Sequence, residues 1–114
     1  MIAEDYCSYE VSKLLRDKGF NEPCTELNKL CLRDGEKPVL KVTHQKAMKW
    51  LRLKHNILLF LLPTQENGKL VYLVEVWTWN KKEGIYESTY APMPRIEPEQ
   101  AVEDALRFSL ENLI

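Results

Sequence analysis

Residues 57–79 constrain this chain more than any other stretch. ILLFLL (57–62) is six apolar residues with no polar break. Asn67-Gly68 then supplies a pair suited to the left-handed positions of a tight hairpin turn, and KLVYLVEVWTW (69–79) brings the chain back antiparallel. A strand without polar alternation is expected to be buried on both faces, so 57–62 is predicted to lie centrally in a sheet and to stop at Pro63. Along the return strand, Leu70, Tyr72, Val74, Val76 and Thr78 point one way, and Val71, Leu73, Glu75, Trp77 and Trp79 the other. Each face is largely apolar and needs cover, from helices or from a second subunit.

Three helices can be placed around this hairpin. Over 8–18, Val11, Leu14 and Leu15 share a face. Asp5 or Ser8 caps its start, and Gly19 suits the left-handed exit that folds Phe20 back onto Leu15. Thr43 caps a second helix running to about Lys54, with Ala47, Met48 and Leu51 inward and Asn56 in the left-handed closing position. A third begins after the proline-rich connector 91–98, with Pro98 at its first position and Glu99 beside its positive end. Its buried stripe is Val102, Ala105, Leu106, Ser109 and Leu113, and Glu103, Asp104, Arg107 and Glu111 are expected to face water.

The remaining segments are less decided. TELNKLCL (25–32) fits a helical turn or an alternating strand, and the Asp34-Gly35 turn followed by VLKV favours strand, turn, short strand. IYESTY (85–90) reads as an edge-like third strand. The fold class is therefore α+β: one domain over 1–114, three helices, and a mostly antiparallel sheet of three to five strands.

Composition excludes several classes. The 45% hydrophobic and 29% charged content is that of a globular domain, and a net charge of -1 gives no general attraction to nucleic acid or anionic membrane. Three cysteines (Cys7, Cys24 and Cys31) without a C-x-x-C make neither a disulfide framework nor a zinc motif. The acidic N-terminus is no secretory leader, and ILLFLL is far short of the ~20 residues of a spanning helix, so a cytoplasmic location is expected. The four glycines (Gly19, Gly35, Gly68 and Gly84) all fall at turns or helix ends, leaving none to cradle a phosphate. No catalytic, cofactor or metal signature is present, and the chain is expected not to be an enzyme.

A few residues could still carry function. The span 37–65 has no acidic residue, and Lys46, Lys49 and Arg52 spread over the outer face of the second helix, where they could meet phosphates. The competing reading is a solvated face balanced by acids of the third helix. Trp50 and Leu53 widen the apolar surface of the second helix and either bury against a loop or anchor a partner. Trp77 and Trp79, about 7 Å apart on one strand face, could stack on a flat ligand, although packing under a helix suits them better. Glu75 shares that face and needs a partner, with a Lys or Arg of the second helix as candidate. His44 and His55 lie about 16 Å apart along the helix, too far to share a metal ion. A Cys–His pair formed in space has no local signature.

Two segments together resemble a known set of proteins. CSYEVSKLLRDKGFNEPC (7–24) is similar to the opening helix and KGF turn, and THQKAMKWLRLKHNI (43–57) to the KWLRxKHNI helix, of small proteins from gut bacteria and their prophages. The resemblance implies a phage or mobile-element accessory protein and brings no catalytic or binding residues with it. The expected function is thus a non-enzymatic interaction protein that binds a protein partner or itself. Nucleic-acid binding through 43–55 is the alternative, and a small enzyme without a recognisable motif comes after it.

Overall fold

The computed structural model describes residues 5–21, 30–31, 34–90 and 92–114. Its elements are α1 (Tyr9–Asp17), β1 (Leu30–Cys31), β2 (Val39–Leu40), α2 (His44–His55), β3 (Ile57–Glu66), β4 (Lys69–Asn80), β5 (Ile85–Ser88) and α3 (Pro98–Asn112). Strands β3, β4 and β5 form one antiparallel sheet in that order, and β1 and β2 form a separate short ladder. The expected α+β architecture is what the chain adopts. Of the undecided stretch 25–32, only Leu30 and Cys31 are among the described residues, and they pair with Leu40 and Val39 as a strand.

Local chemistry sets the helix ends. Ser8, not Asp5, caps α1 by accepting the Val11 N–H, while the Asp5 carbonyl accepts the His44 N–H. At the far end Gly19 has φ +99°, and the Phe20 N–H reaches the Leu15 carbonyl at 2.9 Å, closing the helix and burying the Phe20 ring. Thr43 caps α2 through the Lys46 N–H, and Asn56 ends it in the left-handed conformation. The core is built from Val11, Leu15, Phe20, Ala47, Leu51, Val74, Val76, Val102, Ala105, Leu106 and Leu110.

The sheet departs from expectation in three respects. First, β3 is an edge strand, and β4 is the centre. Second, Pro63 does not end β3, which continues to Glu66 with Pro63 opposite Tyr72. The reason lies in the backbone. Tyr72 exchanges both of its hydrogen bonds with Arg95 on the opposite side of β4, so Pro63 sits at a position whose N–H would point away from the ladder. Proline there removes no bond within the sheet. Third, only one sheet face is fully covered. Val74, Val76 and Tyr72 pack under the helices. The other face of β4 is more open: Val71 at one end is buried, Leu73, Glu75 and Trp77 are half-buried, and Phe60, Leu62 and Trp79 are 38 to 47% exposed. Three short helices suffice to shield one face, so apolar character on both faces did not mean burial of both.

Candidate functional site

Two places on the described chain concentrate unusual chemistry. One is the open face of the sheet. In an antiparallel pair, directly opposed residues project to the same side. The register therefore sets Leu58 beside Trp77, Phe60 beside Glu75, and Leu62 beside Leu73, while β5 adds Tyr86 next to Trp79. The Trp79 and Tyr86 rings meet edge to face with centroids 5.0 Å apart, and the Tyr86 hydroxyl donates to Asn56 Oδ1 at 2.6 Å. The result is a flat patch with an aromatic end (Trp77, Trp79, Tyr86) and an aliphatic end (Leu62, Leu73). Glu75 is midway between them. It is half-buried, and no hydrogen bond or ion pair reaches its carboxylate from any described residue. It points away from α2, so the expected pairing with a Lys or Arg of that helix is not made.

The tryptophans therefore divide. Trp77 and Trp79 share a strand face as expected, but that face is the more open one and not one packed under a helix. Trp50 is only 7% exposed and is held edge-on between Phe20 (centroids 5.5 Å) and His55 (4.7 Å). As a core residue it is not available as a partner anchor. Leu53, one turn further on, is 65% exposed.

On the outer side of α2, Lys49 and Arg52 are exposed and Lys46 is half-buried with an interaction of its own. Among the acids of α3, Asp104 pairs with Arg95 at 2.7 Å, and Arg107 of the same helix pairs with Glu10 of α1 at 2.7 Å.

The second place has no local signature in the sequence. Glu103 does not face water. Its Oε1 accepts the Ser8 N–H at 2.8 Å and lies 2.9 Å from His44 Nε2, and its Oε2 accepts the Ser8 hydroxyl at 2.9 Å. Burial pushes the Glu103 carboxyl up, but the hydrogen bonds from His44 and Ser8 outweigh it and hold the group below the usual carboxylate range. An ionised carboxylate only accepts, so His44 Nε2 is the donor. Cys7 completes the group: one donor atom from each of Cys7, His44 and Glu103 lies within 4.8 Å of the other two. The antiparallel bridge Tyr6↔Thr43 and the bond from the Cys7 N–H to the Val42 carbonyl (2.8 Å) carry Cys7 to the start of α2. Only Glu103 gave any sign beforehand: it lies beside Val102 at the edge of the buried stripe of α3.

A cysteine beside a histidine and a carboxylate resembles a nucleophile with its base. Here Cys7 is 3% and His44 6% exposed, which shields the thiol from any substrate. An open cleft of about 450 Å³ lies elsewhere, among Tyr9, Glu10, Lys13, Glu36 and Arg107, and the trio does not line it.

The class these features define is a small α+β domain with a one-sided sheet and a buried Cys–His–Glu junction. No protein-family model, curated protein or solved structure matches the chain. None of the described helices is long and apolar enough to cross a membrane.

Proposed function

We propose that this chain is a non-enzymatic interaction module that associates with a second copy of itself through the open face of its sheet. The observation that carries the reading is the set of apolar side chains on one strand face, where Phe60, Leu62, Trp79 and Tyr86 are 38 to 47% exposed and Leu58, Leu73 and Trp77 are half-buried. Flat strand faces pack well on one another in aligned sandwiches. With a two-fold axis running across the strands between two sheets, the aromatic end of one copy meets the aliphatic end of the other. The β3 edge is a poorer site for pairing, because Pro63 offers no outward N–H. From strand spacing and rise, the patch is on the order of 300–400 Å² per chain, below the ~800 Å² per partner of a standard stable interface. The dimer is accordingly weak and reversible.

Glu75 lies where that axis passes, so dimerisation brings two unpartnered carboxylates together, at a cost. This separates a second copy from a different, basic partner. Light scattering or sedimentation across a concentration series should show a monomer–dimer equilibrium. Glu75→Gln should shift it toward dimer, and Phe60→Ser with Trp79→Ser should abolish it. A strictly monomeric wild type at high concentration overturns the proposal. If the wild type dimerises but Glu75→Gln loosens the dimer, the two-fold arrangement is wrong.

The alternative of phosphate contact by Lys46, Lys49 and Arg52 draws on two exposed cations, Lys49 and Arg52, beside a half-buried Lys46. The setting in this reading is the cytoplasm, where the buried Cys7 thiol stays reduced.

A further inference from the structure

We propose that Cys7, His44 and Glu103 form a binding site for a zinc-class divalent metal ion at the junction of α1, α2 and α3. The donors come from distant parts of the chain and converge only in the fold. They are thiolate sulfur, imidazole nitrogen and carboxylate oxygen, the mixed set that favours zinc or cobalt over magnesium or calcium. Their charges also fit. A thiolate and a carboxylate carry -2 between them, so a divalent ion leaves a neutral cluster in a buried place.

The geometry is close to what such an ion needs. Metal bonds of about 2.0–2.3 Å in a tetrahedron hold ligand atoms roughly 3.3–3.8 Å apart. Every pair in the trio is within 4.8 Å, and the His44–Glu103 pair is at 2.9 Å. Loading the site draws the widest pair together by about 1.3 Å at most, taking a sulfur–nitrogen or sulfur–oxygen separation of about 3.5 Å, and opens the closest by about 0.4 Å. Glu103 is already oriented by the Ser8 N–H and hydroxyl, the kind of outer hydrogen bonding that steadies metal-binding carboxylates. The fourth position is left to a water or a neighbouring oxygen. On binding, the Cys7 thiol proton leaves to solvent, and His44 changes tautomer: the proton on Nε2 is given up so that this nitrogen can take the metal, and Nδ1 carries the proton instead. The ion acts as a structural clip on the start of α1, the start of α2 and the middle of α3. Its burial means that it enters as the chain folds.

The test is refolding of the full chain from urea after chelator treatment, with and without Co²⁺. It uses a Cys24→Ser, Cys31→Ser background so that Cys7 is the one thiol. We expect one equivalent of cobalt, a thiolate-to-cobalt charge-transfer band, visible tetrahedral bands, and displacement of all of these by Zn²⁺. Cys7→Ser should remove the charge-transfer band, and Glu103→Gln should weaken affinity at least about tenfold, the scale on which altering a metal site's ligand sphere acts. Circular dichroism verifies that each variant folds. His44→Gln provides a second ligand deletion should Glu103→Gln not fold. Absence of the band in folded, cobalt-treated protein overturns the proposal, as does a band that survives Cys7→Ser.

Discussion

Replacing Glu103 by alanine is the most informative single perturbation of the metal-free fold, because one carboxylate ties three helices. The substitution removes three acceptor contacts: to the Ser8 N–H, to the Ser8 hydroxyl and to His44 Nε2. They do not weigh equally. Ser8 is exposed, so its two donors return to water, and each contributes about 0.5 kcal/mol. His44 is buried, and an unsatisfied buried donor costs about 1–3 kcal/mol. The expected loss is therefore about 2–4 kcal/mol, mostly from stranding the imidazole. Glu103→Gln keeps one acceptor oxygen and should lose about half as much. Urea denaturation in the presence of a chelator measures both. A loss below about 0.5 kcal/mol for Glu103→Ala would show that the network contributes nothing net and refute the reasoning. The pH dependence gives a second check. The Glu103 pKa is lower in the folded protein than in the unfolded chain, so its contribution is full above the unfolded value near 4.3 and is lost as pH falls through the folded value. The gap between wild type and Glu103→Gln should thus be constant near neutrality and narrow in acid.

Other expectations follow from single side chains. The buried Ser12 hydroxyl has no hydrogen-bond partner among the described residues. Ser12→Ala should therefore stabilise the protein by about 1–2 kcal/mol in urea melts, combining the relieved hydroxyl with better helix propensity. Trp50→Ala should cost about 3–5 kcal/mol, whereas Leu53→Ala, at an exposed site, should change stability by less than about 0.5 kcal/mol. Equal losses from the two would contradict the placement of Trp50 in the core. Pro63→Thr restores an outward N–H on the β3 edge, and light scattering should record faster aggregation without a change in the circular dichroism of the native fold.

Local signals carried much of the fold. Helix boundaries were legible because caps act within three or four residues: Ser8, Gly19, Thr43 and Asn56 each do their work on adjacent backbone groups. The hairpin was equally plain, since Asn67 and Gly68 both adopt positive φ (52° and 76°) and so fix the register of β3 against β4. Strand position was not legible. An unbroken apolar run such as 57–62 records where burial would be favourable, but not how many elements exist to supply it. Pro63 likewise depended on which way one backbone N–H points.

By itself, then, the sequence determined what neighbouring residues decide: where helices start and stop, where the chain reverses, and which side chains share a strand face. Only the tertiary structure decided which sheet face the helices cover, that Trp50 enters the core while Trp79 does not, and that Cys7, His44 and Glu103 meet. Those outcomes are set by the packing of elements 37 to 96 residues apart, as the separations of Cys7, His44 and Glu103 along the chain illustrate. No period or motif encodes such distances. They follow from how a limited number of helices can shield one side of a twisted sheet.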